Sequence, residues 1–484
     1  MTSGSRISRR SWTLAFICLG VLMIDMDTTI VAVAAPSISA DLRLSSTLLT
    51  WLLNGYNLVF GGSLLLGGGL GDTYGKRRVF LLGVLVFTLA SGTAGMATSV
   101  GLLLSARAVQ GFAAALVTAV SLSLIAQIAS EPAERAKALG VYGFVCAAGG
   151  SIGEILGGLI TQTLSWHWIF LVNMPIGLVV YGACERLLPK NVIGLHDRRL
   201  DGVGAVAITL APGLLVYGLL TLGQPGGPLL NTWMALGLSG ALLVLFLANE
   251  RYARNPVLPP RMWALRSFAI ANVVTLLWSI GSFSWFVLTA LYAQRALRYE
   301  PFQVGLIFLP AALTTAVISV AFSARLIVRY GARAVLTSGL LAISVGVALF
   351  TRASSGGSFT TDILPGMLLI GIGSGVAFNP LLIAGMRDVH EEHSAVASGA
   401  INTAFMIGGA VGLACLAALA ESHTRRLTAV GLASTAALVG GYHQAFLVAA
   451  LVIAAAATTA WVGLREQRMP SHHVSDSRVT EAGA

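Results

Sequence analysis

Leu70-Gly71-Asp72-Thr73-Tyr74-Gly75-Lys76-Arg77 and Leu326-Ile327-Val328-Arg329-Tyr330-Gly331-Ala332-Arg333 stand 256 residues apart and share a leading leucine, a Tyr-Gly step and a closing arginine. Each octet is a short polar turn between two long apolar runs. The same offset carries Trp12, where the first apolar run begins, onto Phe268, where another begins. A repeat of that period, several runs long in each copy, implies a chain of two like halves with extra sequence between them.

Composition says what the halves are made of. Of 484 residues, 56% are hydrophobic and 10% charged, and mean hydropathy is +0.82; soluble chains carry about 25% charged residues. A water-soluble globular protein is excluded, and a polytopic all-α membrane protein is expected. Apolar runs near the ~20 residues that cross a bilayer fall at 12–35, 48–70, 79–98, 102–125, 138–162 and 168–187, then 203–222 and 231–249, then 267–294, 303–324, 334–351, 363–385, 395–420 and 443–464. Fourteen spans grouped as six, two and six give an N-terminal bundle (12–187), a linker with two inserted helices (188–266) and a C-terminal bundle (267–464). Residues 1–11 and a disordered tail, 465–484, complete the chain.

Charge fixes the expected orientation. The surplus of 30 Lys+Arg over 20 Asp+Glu would point to nucleic acid in a soluble protein; here it reads as topology. With the N-terminus inside, inner segments hold 23 basic residues and outer loops 6, with Arg107 inside a span. Cytoplasmic loops retain positive charge, so both termini are expected in the cytoplasm. The basic start followed by an apolar run imitates a signal peptide, but Asp25 and Asp27 interrupt any cleavage region, so it reads as the first span. Cys18, Cys146, Cys184 and Cys415 lie in apolar stretches without pairing or metal-site spacing. With three lysines among the 30 basic residues, the arginine-, alanine- and glycine-rich usage suggests a GC-rich bacterial genome.

Several motifs occur in order. Gly68 to Arg77 forms a glycine-rich basic turn, in which Asp72 is placed to cap or pair and Gly75, Lys76 and Arg77 close the loop. Met26-Asp27-Thr28-Thr29 runs on to Pro36 in the first span. Leu103, Arg107, Gln110, Gly111, Ala113 and Ala114 punctuate the fourth. Gly149-Gly150-Ser151-Ile152-Gly153-Glu154-Ile155-Leu156-Gly157-Gly158 fills the fifth, and Glu134-Arg135-Ala136-Lys137 and Trp166 to Pro175 flank it. In this combination the chain resembles the major facilitator superfamily, in its fourteen-span drug/proton antiporter branch, over nearly its whole length. The resemblance implies the major facilitator fold, two six-helix bundles plus two inserted helices, and alternating access between the halves. It implies gating roles for Gly68, Asp72, Gly75, Lys76, Arg77, Gly153, Gly157 and Gly158, and proton coupling through the helix-4 arginine, Arg107. Two departures stand out: Thr73 replaces the usual arginine, and Glu154 replaces the expected proline after Gly153. The second restores a backbone donor and adds an ionisable group that costs about 2.5–3.5 kcal/mol in a span when unpaired.

Apart from Glu185 and Arg186 at the very end of the sixth run, Asp25, Asp27, Arg107 and Glu154 are the charged residues within spans, all in the first half. Taking outer helix ends near Pro36, Leu102 and Thr163, Asp27 and Glu154 lie about 14 Å deep and Arg107 about 8 Å, a gap an arginine side chain can cover. Asp25 points about 200° away from Asp27, so Asp27 is the favoured partner and Asp25 the second choice. Two acids and an arginine in the low-dielectric first bundle are the expected proton-coupling groups. Asn54, Asn57, Gln110, Gln294, Asn379 and Asn402, with Trp51, Tyr56, Trp278, Trp285 and Phe286, are candidates to line a substrate cavity.

An enzyme is not expected, because the eight histidines lie in loops, helix ends or the tail and form no HExxH pattern. The GxxxxGK[ST] loop of ATP-driven pumps is absent too. No metal, cofactor or nucleic-acid partner is implied. The expectation is a monomeric, multi-pass exporter of amphipathic or cationic antibiotics or other toxic compounds across the bacterial cytoplasmic membrane, driven by proton influx. The alternative is a proton-coupled transporter of one metabolite, as dedicated exporter or symporter.

Overall fold

The computed structural model describes residues 3–128, 132–189, 201–222, 229–252, 260–354, 356–389 and 394–465. The proposed tail beyond Arg465 and parts of the 188–266 linker lie outside them.

Every apolar run becomes helix, since in lipid each backbone N–H and C=O must be satisfied within its own segment. The helices are α1 (Ser3–Asp41), α2 (Ser46–Tyr74), α3 (Lys76–Gly95), α4 (Val100–Ile128), α5 (Pro132–Thr163), α6 (Asn173–Leu187), α7 (Gly202–Leu222), α8 (Leu229–Tyr252), α9 (Arg266–Arg295), α10 (Pro301–Ile318), α11 (Ala332–Leu349), α12 (Leu364–Met386), α13 (Ser394–Ala429) and α14 (Ser434–Gly463). A single turn, Trp168–Leu171, precedes α6, and α10 continues through a π-helical turn, Ser319–Ser323, into Ala324–Tyr330. Among the described residues, twelve helices are long and apolar enough to cross a membrane, thirteen counting α2, whose two parts meet at 49°. The bend falls just before Gly67-Gly68-Gly69, a stretch with little side chain to resist it.

Several boundaries move, among them the start of α14, which lies at Ser434 rather than 443. The first helix does not end at Pro36 but carries it internally to Asp41, which deepens Asp27 to about 21 Å from that helix end. The thirteenth reaches Ala429 rather than 420.

The repeat is visible in the packing. Helix α1 packs on α5 and α6 as α9 packs on α13 and α14; α4 packs on α2 and α3 as α12 packs on α10 and α11. The two octets become the same device: Gly75 (φ 95°) joins α2 to α3, and Gly331 (φ 80°) opens α11, a backbone region that L-residues avoid. The halves meet along two seams, α5 against α10 and α2 against α13, which are equivalent under the repeat. The inserted α7 and α8 pair with each other, and α7 lies on both α2 and α13, covering one seam.

The seams close on the side of the molecule away from the chain termini, called here the far side. One hydrophobic cluster there joins Ile30 to Ile38 of α1, Leu49 to Leu53 of α2 and Trp166 to the core of the C-terminal bundle. The termini half of the N-terminal bundle, around Ile17, Phe80 and Val117, forms a separate cluster. Gln294 donates to Val33 O at 3.0 Å, and Gln162 bonds Glu300 across the far ends of α5 and α10. Deeper in, Asn54 donates to Ala410 O and Thr403 to Gly61 O, each at 3.0 Å. The halves are therefore joined on the far side.

Candidate functional site

Asp27 lies at the centre of a polar cluster drawn from α1, α3, α4 and α6. Arg107 and Gln110 stand three residues apart on α4 and so project from one face. Arg107 Nη1 donates to Asp27 Oδ2 and, at 3.2 Å, to Gln110 Oε1. Gln110 Nε2 donates to Ser91 Oγ at 2.7 Å and reaches Asp27 Oδ1 at 3.4 Å. Asn173 Nδ2 donates to Asp27 Oδ1 at 2.9 Å. Asn173 follows directly on the Trp168 turn at the start of α6 and brings its amide to the carboxylate.

Aromatic faces enclose the cation. The Arg107 guanidinium lies 4.3 Å from the Tyr56 ring centroid and 5.8 Å from that of Phe170, within cation–π range. Asp27, Gln110 and Asn173 are 0% exposed and Arg107 1%. Arg107 Nε and Asn173 Oδ1 are buried without a hydrogen-bond partner. Removing one member of a buried ion pair leaves an uncompensated charge and costs about 3–5 kcal/mol, so neither Asp27 nor Arg107 can be lost singly at low cost in this arrangement.

The other expected coupling residues stand apart from it. Asp25 faces α5, where a Cβ on Gly149 would lie 2.8 Å from the Asp25 Cβ. Glu154 is 9% exposed, with Oε2 buried and lacking a hydrogen-bond partner. It lies on the α5–α10 seam: a Cβ on Gly305 of α10 would meet Glu154 O at 2.5 Å.

The glycines divide by seam. Gly153 and Gly157 let α5 touch α1, their virtual Cβ atoms falling 2.5 Å from Met26 O and 2.8 Å from Ile30 O. Thr29 locks that contact by donating to Gly150 O at 2.8 Å. Gly158 faces the other half, 2.5 Å from Pro301 O. Gly68 has nothing within 4 Å; its neighbours Gly67 and Gly71 make the close approach, to Ala115 O and Val120. Asp72 is exposed, and Gly75 holds the α3 cap position, so Asp72 does not cap α3. Lys76 is half-buried at the start of α3, and Arg77 donates to Glu185 O at 2.6 Å, tying the turn to the end of α6.

Several expected cavity residues have structural partners instead. Trp51 packs toward α7 with Leu58, Val216 and Ala414, and Asn54 latches the α2–α13 seam. Asn57 Nδ2 donates to Leu53 O within its own helix. Trp285 stacks edge-on with Phe308 and Phe350 inside the C-terminal bundle, though its indole N–H, like that of Trp278, is buried without a partner. Asn379 donates to Ser319 and Ser323 at the π-helical turn of α10. Tyr56 and Gln110 belong to the Asp27 cluster. Sequence reasoning missed Asn173 and Ser91; Asn173 was findable as the one amide in the run from Trp168 to Val180, whereas nothing marked Ser91.

Comparison with known proteins agrees with the architecture. Residues 17–413 match the sequence model described as Major Facilitator Superfamily. The chain is 36% identical to the puromycin resistance protein pur8 of Streptomyces alboniger, over 98% of this chain and 95% of that one. It is 34% identical to the cephamycin export protein CmcT of Amycolatopsis lactamdurans, over 94% and 93%. Among solved structures, a bacterial homolog of the human lysosomal transporter Spinster, in an inward-facing and unoccupied conformation, superposes with TM-score 0.66 over 94% of this chain and 97% of that one, at 16% identity.

Proposed function

This chain belongs to the major facilitator superfamily, a family of membrane transporters and not of enzymes, and from that premise we propose that it exports antibiotics or similar amphipathic toxic compounds in exchange for protons. The observation that carries the coupling half is the buried Asp27–Arg107 pair: a charge pair inside a span is expensive and marks ion pathways and proton relays. The cargo half is supported by relatives named for puromycin resistance and cephamycin export.

In the proposed cycle the present arrangement, joined on the far side, takes cargo from the cytoplasm. Both termini are cytoplasmic in this reading, supported by the 23-to-6 bias of basic residues. Asp27 is held as a carboxylate by Arg107, Gln110 and Asn173. When the α5–α10 and α2–α13 seams part on the outer face, a proton binds Asp27, the Arg107 contact weakens, and cargo leaves. Return to the present arrangement delivers the proton inward. Glu154, at a seam that must open, is the second proposed proton carrier; Asp25, facing α5, is the reserve. Gly153 and Gly157 keep α1 and α5 moving as one body, while Gly158 sits where the two bodies separate. The glycine-hinged turn at Gly75, with Lys76 and Arg77, serves as a cytoplasmic clasp. One chain holds both halves of the path, so a monomer suffices.

The test is expression in a pump-deficient bacterium, scoring puromycin, cephamycin, lincomycin and cationic dyes for uncoupler-sensitive efflux. Wild type should protect against at least one compound, and Asp27→Asn should not. Equal protection by wild type, Asp27→Asn and Glu154→Gln would remove the coupling assignment.

A further inference from the structure

A cavity of about 610 Å³ opens on the far side, between α2 of the N-terminal half, the tip of α7, and α9, α13 and α14 of the C-terminal half. It is separate from the Asp27 cluster, and none of the cavity residues named in the sequence analysis lines it. Its floor is apolar, built from Leu53, Leu220, Leu288, Leu291 and Leu413, all buried. Its mouth is polar and carries Arg295, Glu421 and Arg425. Glu421 and Arg425 lie one turn apart on α13, the spacing at which opposite charges pair on a helix. With Arg295, exposed at the end of α9 near Tyr442, two arginines face one glutamate, and the mouth carries net positive charge.

We propose that this cavity binds a drug-sized amphipathic organic anion from the far side, and that the bound molecule holds the seams closed. The size suits such a ligand, since small-molecule sites enclose roughly 300–1,000 Å³. An apolar floor beneath a cationic rim matches a ring system ending in a sulfonate or carboxylate. The walls belong to both halves: Leu49 and Leu53 come from α2, and Leu288 and Leu413 from α9 and α13. Parting α2 from α13 on the far side would pull those walls apart. A ligand touching both binds the joined arrangement better and shifts the population toward it. The site would therefore act as an inhibitory one that competes with outward opening, not with cargo loading.

The test uses the full chain in nanodiscs of zwitterionic lipid, where both faces are accessible, titrated with 8-anilinonaphthalene-1-sulfonate and corrected for protein-free discs. Fluorescence should saturate. Arg295→Gln should weaken binding about fivefold, the effect of one exposed charge contact, and Leu288→Trp, which fills the floor, should abolish it. Because Leu288→Trp could disturb folding, size-exclusion profiles and the milder Leu291→Phe accompany it. A Gln162→Cys/Glu300→Cys disulfide, remote from the cavity, should preserve or tighten binding, and Gly158→Ala, also remote, should weaken it. Non-saturating fluorescence, saturation that neither Arg295→Gln nor Leu288→Trp alters, or equal affinity for a trimethylammonium analogue would overturn the site. Binding indifferent to both the disulfide and Gly158→Ala would overturn its link to seam closure. These outcomes involve no transported compound, so they stand or fall independently of the proposed cargo and proton coupling.

Discussion

Replacing Gly158 by alanine should push the molecule out of the arrangement described here without unfolding it. The new methyl carbon would start 2.5 Å from Pro301 O and 2.6 Å from Phe302 Cα, and both obstacles are backbone of α10, which cannot swing aside. Forcing such a group into a packed contact costs about 1–3 kcal/mol. The cost falls only on the arrangement in which α5 touches α10, so the equilibrium should move about 5- to 150-fold toward the one in which they part. Gly153→Ala is the control. Its methyl would start 2.5 Å from Met26 O on α1, inside a single half, so it should lower thermal stability without favouring either arrangement. Spin labels at Gln162→Cys and Glu300→Cys, in protein whose four native cysteines are replaced by serine or alanine, report the separation of the far ends of α5 and α10. Gly158→Ala should add a longer-distance population and Gly153→Ala should not. An unchanged distance distribution in Gly158→Ala, or the same change in both variants, would refute the two-body reading of these glycines.

Further outcomes follow from the same contacts. Arg107→Gln strands the Asp27 carboxylate among amides and should destabilise the purified protein by about 3–5 kcal/mol, whereas Arg107→Gln combined with Asp27→Asn should recover much of that loss in thermal melts. Asn173→Ala removes one hydrogen bond to Asp27 and should cost about 0.5–1.5 kcal/mol while shifting the pH dependence of transport; a melting change with an unmoved pH profile would mark it as structural only. Gly75→Ala, at φ 95°, should cost about 1–2 kcal/mol and lower transport rate more than binding, read from initial rates against equilibrium binding of the identified cargo.

The architecture was legible because lipid leaves the backbone few choices. Apolar length gave the helices, the basic bias gave their expected sidedness, and the Tyr-Gly steps at Gly75 and Gly331 announced a repeat that the helix packing reproduces. The Asp27–Arg107 contact was foreshadowed by depth along two helices, even though α1 runs past Pro36 and the depth of Asp27 changes with it. Which face of a span meets which neighbour was not legible. In lipid the outside of a helix is as apolar as its packed side, so hydrophobic periodicity does not say that Trp51 turns toward α7, or that Asn54 bridges to α13. The same blindness separates Gly68 from Gly67 and Gly71: neighbours in sequence, they point about 100° apart per residue, and only the latter two meet α4. The inserted pair has no counterpart in the repeat, so no pattern in the sequence places it across the α2–α13 seam.

The central claim is that inward proton movement through the Asp27 cluster drives outward cargo movement. The most direct measurement is accumulation of an identified cargo in sealed vesicles holding purified protein, with and without an imposed proton gradient, for wild type and Asp27→Asn. Wild type should concentrate the compound only when the gradient is present, and Asp27→Asn should at most equilibrate it. Uphill accumulation by wild type with no pH or voltage difference, or by Asp27→Asn at the wild-type rate, would contradict the account.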